Sequence, residues 1–287
     1  MSGAVRAAPI GAAIATIFLW AGSFLAIRYA VDSIAPMPLA AARFAIAGLA
    51  GSVWLAMAPR VRPVRADLPR ILLCGLVGIA LYNILLGAGE QHVGAGVAAF
   101  VVATQSLFAA LASWLLEGKR PNLRFVAGCC ISAAGLALVA ALPDVAGSAS
   151  GMLYCITAAS LSGIYFVIQR PLVARLGPLS AALSTMVAGG LILFPWAPGA
   201  LGDVVRHPDL LVPLAYLAIF ASVLAYFLWM VALADLGAAR ASQFLFLMAP
   251  VAAIMEWSAG LEPFRPAVVV GGVLAVAGLV VASKSAE

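Results

Sequence analysis

Few residues in this chain can do chemistry, and most of those that can sit inside apolar runs. Arg43 follows Leu39-Ala40-Ala41-Ala42 and precedes Phe44-Ala45-Ile46. A guanidinium at bilayer depth costs about 2.5–3.5 kcal/mol on insertion scales, so it needs a partner or a wet cavity. Its planar fork suits a substrate carboxylate through paired hydrogen bonds. Two other fates stay open: snorkelling to the headgroups, or pairing with Asp32 or Glu90. Glu256 lies six residues after Pro250 in another apolar run. Proline removes a backbone donor, so the two together point to a broken or kinked segment beside a pathway. There Glu256 would bind an ammonium, exchange a proton, or form a structural ion pair. Glu117 and Glu262 stand at the borders of such runs and read as structural, closing helix ends and loops.

Neutral groups at similar depth can orient a zwitterion without the penalty of a buried charge. Tyr82 and Asn83 do so in one run, and Gln105 with Ser106 in the next. Trp20, Ser23 and Phe24 share a helix face by their spacing of three and four, as do Tyr226, Trp229 and Met230. Aromatics so spaced commonly serve packing. Central depth favours the cavity for Trp20, Tyr82 and Tyr226, with Tyr165 and Gln243 as further candidates on the same argument.

The elements that hold these residues follow from composition. Of 287 residues 65% are hydrophobic and 9% charged, against roughly 45–50% and about 25% in a soluble domain. A membrane-spanning helix takes about 20 apolar residues. Charges, Pro and Gly divide the chain into ten such runs, near 8–31, 38–58, 68–89, 93–116, 122–142, 150–170, 178–196, 209–232, 238–259 and 266–283. The expected fold is therefore all-α and polytopic, with no room for a soluble domain; the runs lack the alternation of barrel strands. An even count puts both termini on one side. Twelve of the 16 Lys and Arg fall on that side, including Arg60, Arg62, Arg65 and Arg70, which makes it cytoplasmic by the positive-inside rule. The net charge of +5 thus reflects insertion and not nucleic-acid binding. The first run is longer than the apolar core of a secretory signal, so it reads as a retained span. Cys74, Cys129, Cys130 and Cys155 have no metal or disulfide spacing and read as small core residues.

The two halves resemble one another. Arg120-Pro121 and Glu117 recur 145 positions on as Arg265-Pro266 and Glu262. Ala134-Gly135-Leu136 returns as Ala277-Gly278-Leu279, Leu81-Tyr82 resembles Ala225-Tyr226, and Phe24 with Arg28 matches Phe166 with Arg170. Halves with an odd number of spans must enter the membrane in opposite orientations, the inverted-repeat plan of secondary transporters. The expected division is 1–145 and 146–287, each with five helices, forming one transmembrane unit.

Several motifs carry a family resemblance across nearly the whole chain. Trp20-Ala21-Gly22-Ser23-Phe24, the run closing on Leu116-Glu117-Gly118-Lys119-Arg120, Tyr216-Leu217, Leu224 to Trp229, and Pro250 resemble the EamA-type transporters of the drug/metabolite transporter superfamily. The resemblance implies ten helices in two inverted repeats and export of amino acids or other small metabolites. A branch exporting aromatic amino acids is similar, although no motif is specific to it. Gln105 stands where the family usually has Pro, and Ser162 where an aromatic is common.

The resulting expectation is an exporter in the cell's inner membrane, moving amino acids with aromatic or apolar side chains by alternating access. Nucleosides or sugars are the other substrate classes. No cofactor, metal or nucleic-acid partner is expected; the partners are the substrate and the bilayer. The chain has no phosphate-binding Gly-x-x-x-x-Gly-Lys-Ser/Thr loop, so movement would follow a gradient, an exchange, or an ion such as the proton. The rival class, a membrane-embedded lipid-modifying enzyme, lacks an Asp-rich metal motif and a nucleophile motif. A channel has less support, since no filter-like polar rings occur.

Overall fold

The computed structural model describes residues 4–57, 62–118, 123–140, 148–236, 244–261 and 266–283, and every regular element among them is helical. Uninterrupted apolarity explains the first two, α1 (Ala4–Ala30) and α2 (Pro36–Met57). The third span combines α3 (Leu68–Cys74), a π-helical segment over Gly75–Leu81, and α4 (Tyr82–Glu90). The fourth is interrupted at Thr104, which separates α5 (Ala95–Ala103) from α6 (Gln105–Glu117). Gly118 ends α6 with φ of 71°, a conformation that glycine adopts without steric cost.

Helix α7 (Leu123–Ala140) precedes the second half. Ser148 opens that half as the cap of α8 (Ala149–Ile168), its hydroxyl accepting from the Gly151 N–H at 3.1 Å. Then come α9 (Arg170–Leu176), α10 (Pro178–Leu193), α11 (Ala197–Arg206) and α12 (Leu211–Ala215). A second π-helical segment, Tyr216–Leu224, leads into α13 (Ala225–Leu236). The last two are α14 (Met248–Ser258), entered through a 3-10 turn at Leu245–Leu247, and α15 (Pro266–Ser283).

Among the described residues seven helical stretches are long and apolar enough to cross a membrane: 8–30, 36–57, 65–90, 95–117, 149–168, 178–206 and 208–232. Helices α7, α14 and α15 fall within the other three expected runs, but none of them is among these seven. Exposed Leu49, Val53, Leu115, Leu153 and Leu191 form the outward apolar surface that a bilayer requires.

Helix directions follow from contacts at the ends. Gln91, just after α4, donates from Nε2 to the Val31 carbonyl at 3.1 Å, and the Ser148 N–H donates to the His92 carbonyl at 3.3 Å. The end of α1, the end of α4 and the start of α8 therefore meet at one end of the bundle. Consequently α1 and α8, the first helices of the two halves, run in opposite directions. Arg62, Arg65, Arg70, Arg124, Arg170 and Arg175 gather where α1 begins, whereas Arg28 and Arg206 lie at the far end.

Packing joins the halves to one another: α2 lies on α10, α7 on α15, α1 against α13 and α14, and α8 against α4 and α6. Small residues permit these approaches. At Gly163 a Cβ would stand 2.6 Å from the Ala109 nitrogen and 2.7 Å from the Gln105 carbonyl oxygen, so α8 and α6 touch backbone to backbone. Gly163→Leu is expected to destabilise the protein by about 1–3 kcal/mol through overpacking. Gly11→Ala, inside α1 where a Cβ would meet nothing within 4 Å, is expected to leave stability unchanged or raise it by up to about 1 kcal/mol through helix propensity. Thermal unfolding of the two variants in detergent checks this contrast.

Candidate substrate-binding site

Arg43 is 9% exposed on α2 and is held by two neutral oxygens. Its Nε donates to Ser222 Oγ at 2.9 Å and its Nη1 to Asn83 Oδ1 at 3.1 Å. Both partners are anchored by π-helical backbone. Ser222 donates to the Leu217 carbonyl at 2.9 Å, and Asn83 Nδ2 donates to the Ile79 carbonyl at 2.8 Å. Ser222 reaches back five residues, the π-helical spacing, whereas Asn83 reaches back four. Trp20 also bonds the second π segment, donating from Nε1 to the Ala221 carbonyl at 3.1 Å. The two π segments, one from each half, thus converge on a single guanidinium.

Around this group lies a cavity of about 640 Å³. It begins near Arg170, Val173 and Pro178 at the arginine-rich end and stops at Ile27 and Leu86. Beyond that floor Val31, Ile34, Leu39 and Val93 are packed to 3% exposure or less, closing the far end. Trp20, Tyr226 and Trp229 form one wall, with Trp20 edge-on to Tyr226 at 5.5 Å between centroids and 5.4 Å from Trp229. Arg43 also lies 5.0 Å from the centre of the Phe44 ring. Its Nη2 donates to no described residue, so part of the fork remains available.

The cavity brings together Arg43, Trp20, Ser23, Phe24, Tyr82, Asn83, Gln105, Tyr165, Tyr226 and Trp229. Gln105 is oriented by Ser162, which donates to its Oε1 at 2.6 Å, and Tyr165 shares a hydrogen bond with Thr185 at 3.1 Å. Gln243 and Glu262 lie outside the described residues. Neither Asp32 nor Glu90 pairs with Arg43: Asp32 binds Arg28 at 2.8 Å, and Glu90 is fully buried without a hydrogen bond.

The structure places Glu256 away from the cavity, a correction to its expected role in binding an ammonium. Its Oε1 accepts from the Ala95 N–H at 2.6 Å and its Oε2 from the Gly96 N–H at 2.7 Å, at the start of α5. An anion satisfies the orphan donors of a helix N-terminus, and Gly94 and Gly96 leave it room. Pro250 sits in the first turn of α14, where no intrahelical donor is missed, so it begins that helix instead of breaking it. Glu117 accepts from Arg170 at 2.6 Å and from Ser113 at 2.7 Å, tying α6 to the α8–α9 junction. Residue typing missed Ser222, a lone hydroxyl within Tyr216–Leu224, and Phe166 and Arg170, which line the cavity and had appeared only as repeat matches.

Comparison with known proteins places the chain. The EamA-like transporter family matches residues 8–141 and again 149–284, so this protein belongs to that family and its family domain is present twice. Membership makes it a multi-pass transporter of small molecules. A probable terminal-alkyne amino-acid exporter of Streptantibioticus cattleyicolor is 30% identical over 96% of this chain and 93% of its own. The uncharacterized transporter YdfC of Bacillus subtilis is 31% identical over 92% and 87%. The uncharacterized inner membrane transporter YedA of Escherichia coli is 27% identical over 88% and 83%. One crystal structure, 21% identical, shares the fold with a TM-score of 0.64 over 96% of both chains.

Because both Glu256 oxygens carry amide donors, Glu256→Gln is expected to cost about 1.5–3 kcal/mol of stability, the range for hydrogen bonds to a charged group. The substrate KM is expected to stay unchanged. Thermal unfolding together with initial transport rates separates the two effects.

Proposed function

We propose that the protein is a secondary exporter of amino acids with aromatic or apolar side chains. It works by alternating access in the inner membrane, with ten helices in two inverted sets and both termini cytoplasmic. The observation that carries this reading is the partly unsaturated guanidinium of Arg43 beside an aromatic wall in a cavity closed at one end. A substrate carboxylate takes the open side of the fork. An apolar or aromatic side chain packs on Trp20, Tyr226 and Trp229.

No described carboxylate lines the cavity. The substrate ammonium is therefore left to ring faces and to the oxygens of Gln105, Tyr82 and Tyr226. This absence of fixed negative charge disfavours polyamines and favours substrates that bring their own anion. The relative named a probable terminal-alkyne amino-acid exporter supports an amino-acid substrate for this chain. The cavity opens where the arginines gather, which in this topology is the cytoplasmic side from which an exporter loads.

Counterflow in proteoliposomes tests the reading: unlabelled aromatic amino acid inside accelerates entry of labelled substrate. Losing the paired bonds to a carboxylate costs about 1.5–3 kcal/mol, so Arg43→Ala raises the KM by roughly 10- to 100-fold at unchanged protein level. Arg43→Lys, which keeps charge without the fork, falls between. A wild-type KM in Arg43→Ala would remove the carboxylate role.

A further inference from the structure

One acid in the bundle has nothing to do in the mechanism just described. Glu90, the last residue of α4, is 0% exposed, and neither carboxyl oxygen has a hydrogen-bond partner among the described residues. It stands above the cavity floor, one helical turn beyond Leu86 and two beyond Asn83 and Tyr82, all of which line the cavity. The neighbouring acid has the opposite circumstances, since Glu256 is saturated by two backbone amides. A buried anion without donors or solvent is strongly disfavoured.

The charged groups around Glu90 do not neutralise it. From α1 comes Arg28, already bonded to Asp32. From α2 comes Arg43, whose hydrogen bonds go to Ser222 and Asn83 and not to Glu90. From α14 comes the like-charged Glu256. Cys155 on α8 and Tyr82 on its own helix interact with it without bringing a positive charge. Helix α5 contributes no titratable group, and the exposed His92 follows two residues later.

We infer that Glu90 is a proton-binding site whose occupancy sets whether the far end is shut. In the closed arrangement seen here the carboxyl is neutral. Opening of the far end parts α14 from α5, wets Glu90 and lets it release its proton to the water on that side. Closure requires the reverse, a proton from that water adding to the carboxylate, with no other bond made or broken. Acid at the far side therefore favours closure and alkali favours opening. The inference rests on the alternating-access reading for its role in a cycle, but the protonation can be measured without transport.

Two experiments on the full-length reconstituted protein test it. Infrared spectroscopy at neutral pH is expected to show a protonated carboxyl band that Glu90→Gln removes and Glu256→Gln retains. If Glu90→Gln removes no such band, the inference fails. The second uses Cys155, buried against Gly89, as the sole cysteine after Cys74, Cys129 and Cys130 are changed to Ser. An impermeant maleimide applied from the far side reads opening. The ratio of labelling rate between the Glu90-bearing protein and Glu90→Gln is expected to rise with pH by up to about tenfold per unit, the limit for one linked proton. Taking the ratio at each pH cancels the part of the thiol's ionisation that the two proteins share. The remaining influence of an ionised Glu90 on the thiol slows labelling as pH rises and so opposes the expected trend. A ratio that falls with pH, or stays constant after the thiol titration of each protein is measured, overturns the inference. Should Glu90→Gln fail to fold, Glu90→Asp is expected to shift the infrared band; an unshifted band overturns it equally. Failure of the transport reading alone would appear as absent counterflow with both of these results intact.

Discussion

A single positive charge buried in an apolar bundle sets the terms for the rest of this structure. Arg43 has too little exposure to be solvated at the surface and no carboxylate to bind among the described residues. It is stable only because two neutral oxygens reach it and a cavity stays open beside it. Both oxygens are held by carbonyls of irregular backbone, the π segments Gly75–Leu81 and Tyr216–Leu224. Straightening the second segment would withdraw the Leu217 carbonyl, five residues before Ser222, and free Ser222 to turn away. The irregular backbone and the buried charge are therefore one feature, and such irregularity is tolerated at membrane depth only beside protein or water.

The site is built from corresponding places in the two halves and then made unequal. Tyr82 and Tyr226 each follow a π segment, and Phe24 and Phe166 line the cavity from α1 and α8, which run in opposite directions. Helices of one half pack on helices of the other, so relative movement of the halves alters both ends together. Arg43 breaks the symmetry, because the matching stretch of α10 offers only Met186, Val187 and Ala188. The ends differ as well. The far end is shut by packed aliphatic side chains and by Glu256 on the start of α5, whereas the arginine-rich end stays open beside the Arg170 and Glu117 ion pair.

Much of this was legible in the sequence because the bilayer restricts what a chain can do. Apolar run length anticipated the seven described helical stretches long enough to cross a membrane, and scarcity of polar residues made Arg43, Asn83, Gln105 and the central aromatics conspicuous; the cavity collects them. What composition does not show is where a backbone donor will need an anion. Glu256 and Pro250 read as a break beside a pathway, yet Glu256 caps another helix 160 residues away in sequence and Pro250 begins its own. Nor does hydropathy distinguish a π segment from an α-helix, since both run through equally apolar residues. Ser222 escaped notice for that reason: its importance lies in the Leu217 carbonyl behind it and the guanidinium before it, a relation that exists only after folding.

The central claim is that the two ends of this cavity open in turn. Single cysteines at Ala174, beside the open end, and at Val31, in the packed far end, would report each side to an impermeant maleimide in membranes. The account predicts that a transported amino acid shifts the two in opposite senses, Val31→Cys gaining reactivity as Ala174→Cys loses it. Simultaneous reactivity at both positions would describe a continuous pore and contradict the account.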